Sequence, residues 1–117
     1  MLLTKKLEIE LFFEIILFFA GVVIITIFFN NNILLTFLFI VIGVIRKIFW
    51  HKKHDVYYFV CGAIIGSLAE IICVYFGVWQ YANPSFLGVP MWSPLAWGLV
   101  TMLVIQIAEK FIKMKMK

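Results

Sequence analysis

Glu70 is the only charged residue between Asp55 and Glu109, and the residues around it are apolar. A carboxylate in the hydrocarbon of a bilayer costs about 3 kcal/mol or more, so its side chain must face protein or water, and such residues commonly mark working sites. A carboxyl group taken out of water holds its proton to higher pH, which makes it usable as an acid near neutrality. Glu70 is therefore a candidate proton donor, proton acceptor or cation ligand. The competing reading is a protonated carboxyl bonded to a neighbouring helix. Glu14, about one turn inside the first apolar run, is a second candidate for an acid at membrane depth.

The other chemistry-bearing cluster is His51-Lys52-Lys53-His54-Asp55. Two histidines at this spacing can share a metal, but the lysines between them repel a cation and no cysteine is near. An acyltransferase His-x-x-x-x-Asp needs four intervening residues, one more than lie between His51 and Asp55. The cluster reads as a solvated basic loop against anionic headgroups. No Walker, Gly-x-Ser-x-Gly or zinc-protease motif occurs, and no metal or cofactor is expected. Cys61 and Cys73 share one apolar run. If it is helical they stand roughly 18 Å apart along its axis, too far for a disulfide, and read as packing residues.

These residues are positioned by segments of unusual composition. The chain has 117 residues, 65% hydrophobic and only 14% charged. Its mean hydropathy is +1.10. A soluble domain is nearer a quarter charged, so lipid must cover part of this one. The net charge of +4 is then a matter of topology rather than of nucleic-acid binding. Four runs are long or apolar enough to be spans: 11–29, 33–50, 56–78 and 93–112. Asn30-Asn31-Asn32 reads as a tight turn. The segment from Arg46 to Asp55 is a polar hinge in which Arg46 and Lys47 snorkel to the headgroups. Glu8, Glu10 and Glu14 interrupt the first run and no small-residue cleavage site follows it, so it reads as a span rather than a cleavable signal.

The fold expected is all-α, a single membrane-embedded bundle of four transmembrane helices. Alternate connections of such a bundle share a side. One side collects all ten basic residues: Lys5, Lys6, Arg46, Lys47, Lys52, Lys53, Lys110, Lys113, Lys115 and Lys117. The other collects none. Under the positive-inside rule both termini are cytoplasmic, in the cell's inner (plasma) membrane.

At about 100° per residue, the third span puts Gly62, Gly66, Ala69, Glu70, Cys73 and Gly77 on one arc, and Ile64, Leu68, Ile71, Tyr75 and Val78 on the opposite one. The small residues and the acid are expected to face the bundle, with Gly62, Gly66, Cys73 and Gly77 as packing positions. Gly62 and Gly66 form a Gly-x-x-x-Gly, which lets backbones approach closely. The fourth span carries its own stripe of Pro94, Gly98, Thr101, Ile105 and Glu109, bordered by Gln106. Thr101 and Gln106 are expected to bond across helices, and Glu109 to be solvated beside Lys110. The uncharged segment Trp79–Trp92 is either an interfacial aromatic belt or a lid over a cavity holding Glu70. Glu70 is roughly 12 Å below Val78 at helical rise, so Trp79 and Tyr81 are placed to stand above it.

The skeleton Gly66, Glu70, Gly77, Trp79-Gln80-Tyr81, Gly88-Val89-Pro90 and Trp97 resembles the membrane core of carotenoid biosynthesis proteins of the hydratase type. It is also similar to small bacterial multi-pass membrane proteins with a Trp-Gln-Tyr…Gly-x-Pro-x-Trp signature. The resemblance covers about a third of the chain. It implies Glu70 and Tyr81 as catalytic positions and an isoprenoid-like substrate entering from lipid.

Three functions are then in play. The first is binding, with or without chemistry, of an apolar or amphipathic lipid-like molecule between the third and fourth helices. Trp79, Gln80, Trp92, Trp97 and Thr101 would line that site. The second is a proton-coupled carrier acting as a homodimer. The third is an accessory subunit whose Gly62/Gly66 face packs on a larger membrane complex. Expected partners are membrane lipids and such protein partners, with no nucleic acid.

Overall fold

A computed structural model describes residues 2–50 and 53–115. His51 and Lys52 of the basic loop, and Lys117 of the tail, lie outside the described residues. These fold into four α-helices: α1 Leu2–Phe28, α2 Asn32–Trp50, α3 Asp55–Tyr75 and α4 Ser93–Lys115. The all-α expectation holds. From Lys5 onward α1 is long and apolar enough to cross a membrane, and so are α3 and α4. Large apolar side chains such as Phe12, Phe19, Ile33, Ile65 and Phe76 lie exposed on the outside of the bundle, a surface suited to lipid rather than water.

The helix ends follow local chemistry. α1 starts well before residue 11 because Lys5, Lys6 and Glu8 are good helix formers even where they are poor hydrocarbon residues. The asparagine turn forms as expected. Asn31 caps α2: its Oδ1 accepts the Leu34 N–H at 3.0 Å, and its carbonyl accepts the Leu35 N–H. α3 stops at Tyr75 rather than Val78. Gly77 adopts φ +80°, and the Val78 and Gly77 amides return to the carbonyls of Cys73 and Val74 at 2.9 and 3.0 Å. This paired closure satisfies two terminal carbonyls. Gly77 is thus a helix terminator with open space around it, not the packing position expected of it.

α4 is the centre of the bundle. It packs along α3 and also touches α1 and α2, whereas α2 and α3 are not in backbone contact among the described residues. Glycines set the α3–α4 distance. A Cβ on Gly66 would lie 2.4 Å from the Trp97 ring, and one on Gly62 would lie 2.2 Å from Thr101 Oγ1. From the other side, a Cβ on Gly98 would meet the Phe59 ring at 2.8 Å. The wheel reading holds for Gly62, Gly66 and Glu70, which are buried, and for Ile64, Leu68, Tyr75 and Val78, which are exposed. Ala69 is exposed against expectation, and Cys73 is half-buried. Both cysteines are free thiols. The apolar core joins Leu35, Phe39 and Ile42 of α2 to Leu99, Met102 and Leu103 of α4, with Trp92 above.

The α3–α4 connection is a folded cap. Asn32 Nδ2 donates to the Asn83 carbonyl at 2.6 Å and to Ser85 Oγ at 3.0 Å. Asn83 Nδ2 donates to the Phe29 carbonyl at 3.1 Å and to Asn30 Oδ1 at 3.3 Å. The cap is therefore tied to the α1–α2 turn. Within it, Phe86 and Val89 pair across a tight turn with positive φ at Leu87 and Gly88. A Cβ on Gly88 would meet Val74 at 2.5 Å.

Candidate functional site

Three features compete for the function: an acid at the capped end, a charge cluster at the opposite end, and a groove between α2 and α3.

Glu70 is buried, 4% exposed. Its Oε2 accepts a hydrogen bond from the Tyr81 hydroxyl, and its Oε1 accepts one from the Ser93 hydroxyl. The carboxyl thereby joins α3, the cap and the first turn of α4. Burial first, then the bond to Glu70 and its charge, pushes the Tyr81 phenol above its ordinary value of 10.0; contacts with Ser93 and Trp79 pull weakly the other way. Tyr81 is therefore a neutral donor. The structure brings together the two residues that the family resemblance implies as catalytic, and adds Ser93, which the sequence reading did not single out. The aromatic residues around this site divide. Trp92 is buried against Tyr81, edge to face at 5.9 Å, and against Phe39 at 6.0 Å. Trp79 and Gln80 are exposed at the cap surface. Trp97 and Thr101 fill the α3–α4 seam against Gly66 and Gly62, the region where a ligand was expected.

At the other end, each helix contributes to one cluster. Arg46 of α2 is 1% exposed and Glu14 of α1 is fully buried. Arg46 Nη2 lies 2.6 Å from Glu14 Oε1, and Nη1 lies 3.0 Å from Asp55 Oδ2 of α3. Lys110 of α4 places its Nζ 2.9 Å from Glu14 Oε2. Gln106 donates to Asp55 Oδ1 at 3.1 Å. Two carboxylates face two cations, and each of the four carboxylate oxygens has a cation or amide against it. Nearby, the Tyr58 hydroxyl donates to Glu109 at 3.0 Å. Two expectations are corrected here. Arg46 does not snorkel outward, and Glu109 is half-buried and bonded rather than solvated. For Arg46 the reason is that buried acids on neighbouring helices outcompete water once the helices close; for Glu109 it is the Tyr58 hydroxyl donated from α3. Glu14 is buried inside the bundle, and Gln106 does bond across helices.

Periodicity carried a signal for this cluster. Leu35, Phe39, Ile42 and Arg46 form one helical stripe, as do Asp55, Gly62, Gly66 and Glu70, and Leu99, Leu103, Gln106 and Lys110. Each charged member sits on the buried face of its helix. Among the described residues no group of three His, Cys, Asp or Glu side chains is arranged to hold a metal.

Because α2 and α3 stand apart, a cavity of about 300 Å³ opens between them with α4 as its floor. Its walls are Phe39, Ile40, Gly43 and Val44 on one side and Val56 and Phe59 on the other, over Leu95, Leu99 and Met102. Only one end is polar, where Arg46, Lys47 and Asp55 close it. Ile40, Val44 and Val56 at its rim are exposed, so the cavity is reached from the side, across the exposed apolar surface of the bundle. Its volume falls at the small end of ligand pockets, about 300–1,000 Å³.

No protein-family model matches this chain, and no curated protein and no solved structure matches it either.

Proposed function

We propose that the chain is a four-span inner-membrane protein, both termini cytoplasmic, that holds an amphipathic lipid-like molecule in the groove between α2 and α3. The observation that carries this reading is the groove itself, apolar along its length and charged at one end, with exposed aliphatic residues at its rim. α2 is the fourth span, with Lys47 at headgroup level, and the ten basic residues mark the cytoplasmic side. The ligand sits one helix pair away from the α3–α4 seam, which Trp97 and Thr101 occupy.

The acids hold the bundle in shape around that groove. Glu70 has both oxygens engaged by hydroxyl donors, and Glu14 has both facing cations. This favours ligand binding over the proton-carrier reading, which needs an acid free to exchange its proton with a path. It also favours binding over the isoprenoid chemistry that the hydratase resemblance implies. The accessory-subunit reading loses its docking face, because α4 of the same chain covers Gly62 and Gly66.

Mass spectrometry of molecules retained after gentle detergent extraction tests the proposal. An amphipathic molecule near one per chain is expected. A chain that retains none, and takes up none from added lipid, does not have this function.

A further inference from the structure

We infer that the occupant of the groove is an anionic glycerophospholipid of the leaflet next to Lys47, with one acyl chain lying between α2 and α3 and its phosphate at the charged end. This rests on the binding function proposed above and names the ligand class.

Charge decides the headgroup. The acid lining the groove, Asp55, is already matched by Arg46 at 3.0 Å and by Gln106 at 3.1 Å. The acid behind it, Glu14, is matched by Arg46 and Lys110. What this end offers outward is therefore positive. Lys47 lines the groove and is exposed, and Lys53 is exposed on the short connection beside it. Arg46 also lines this end, almost wholly buried, and its Nε–H has no acceptor among the described residues. A phosphate supplies acceptors and negative charge together, whereas a neutral headgroup leaves the lysines uncompensated.

Shape decides the chain. The groove follows α2 from Phe39 to Lys47, about 12 Å at helical rise, and is open along one side. Gly43 stands midway. The helix glycines of the α3–α4 seam are each filled by a neighbour: Gly62 by Thr101, Gly66 by Trp97, Gly98 by Phe59. Gly43 is not. A Cβ there would meet only the tip of Leu99, at an unstrained 3.8 Å. A glycine inside a helix is destabilising relative to alanine, and at this position no packing within the chain calls for one. It widens the groove where an alkyl chain would lie.

The experiment is native mass spectrometry of the full chain released from nanodiscs made of equal parts phosphatidylglycerol and phosphatidylcholine. The parent chain is expected to retain phosphatidylglycerol in preference. Gly43→Leu fills the groove without touching the charged end and is expected to abolish retention of both lipids while leaving the circular dichroism unchanged. Lys47→Ala is expected to lower the preference on the order of five-fold, the effect of one lysine at an anionic surface. Three results overturn the inference. Retention without headgroup preference, or a preference that Lys47→Ala does not alter, removes the anionic lipid but leaves the binding function standing. Lipid retained equally by Gly43→Leu moves the ligand out of the groove and removes both. A dimer that Gly43→Leu dissociates makes a second copy of the chain the occupant instead. Should Gly43→Leu fail to fold, Val44→Trp at the exposed rim obstructs the same groove from outside and carries the same expectation.

Discussion

Arg46→Leu should be the most damaging single substitution at the charged end of the bundle. The guanidinium touches two carboxylates on two different helices, at 2.6 Å and 3.0 Å, and none of the three side chains is more than 5% exposed. Its removal takes the guanidinium from Asp55 Oδ2 and leaves Glu14 with Lys110. Breaking a buried ion pair by removing one partner costs about 3–5 kcal/mol, most of it the burden of a charge left unmatched. Lys110→Met removes an equal charge but leaves Glu14 its closer cation, so its cost should be smaller, about 1–3 kcal/mol. Adding Glu14→Gln to Arg46→Leu removes the negative charge left in excess and should restore about half of the loss. Arg46→Lys should fall between parent and Leu, because an ammonium cannot reach two carboxylates as a planar fork does. Reversible SDS titration in mixed micelles, followed by circular dichroism, measures all four variants. The reasoning is refuted if Arg46→Leu is no worse than Lys110→Met, or if Glu14→Gln deepens the Arg46→Leu defect; either would mean that water reaches the cluster.

Further outcomes follow from the other end and from the seam. Because the folded chain pushes the Tyr81 phenol above 10.0, the folded state holds this proton longer than the unfolded one; the stability gained is intact below pH 10 and declines as pH rises above it. Alkaline unfolding of Tyr81→Phe, followed by fluorescence, should therefore show a shallower fall than the parent. Gly66→Ala should cost about 1–3 kcal/mol through displacement of the Trp97 ring, while Gly43→Ala, which meets only Leu99 at 3.8 Å, should gain about 0.5–1 kcal/mol; thermal melts in detergent separate them by sign. Asn83→Ala should remove two of the four bonds that tie the cap to the α1–α2 turn, with about 1 kcal/mol lost per hydrogen bond, and hydrogen exchange at Val89 should rise while exchange in α3 stays as it was.

Much of this architecture was legible in composition and period. The apolar runs gave the helices, the asparagine triplet gave the turn, and the wheel of α3 placed Gly62, Gly66 and Glu70 on the buried side. What escaped was the fate of charges near helix ends. Arg46 and Lys110 have the stems to reach water, and only the positions of Glu14 and Asp55 on adjacent helices decide that they turn inward. Helix adjacency is a tertiary fact that no single stripe contains. Gly77 misled for a different reason: its place on the small-residue arc fits packing, yet its positive φ ends the helix before that arc is used. The partnership of Ser93 with Glu70 depends on how the cap folds back, which follows from Asn83 and Asn32 meeting across more than fifty residues of sequence.

The pairing of Glu14 with Arg46 also bears on how the chain enters a bilayer. Both residues belong to the first helical hairpin, so as synthesis proceeds they are available to each other before α3 and α4 have been made. A hairpin that carries this counterion within itself presents the translocation machinery with a matched pair at this depth instead of two isolated ions. Asp55 and Lys110 arrive later as a second oppositely charged couple and dock onto the first without changing its sum. The buried ions of this cluster thus arrive as two couples of zero sum, and assembly brings the two couples together.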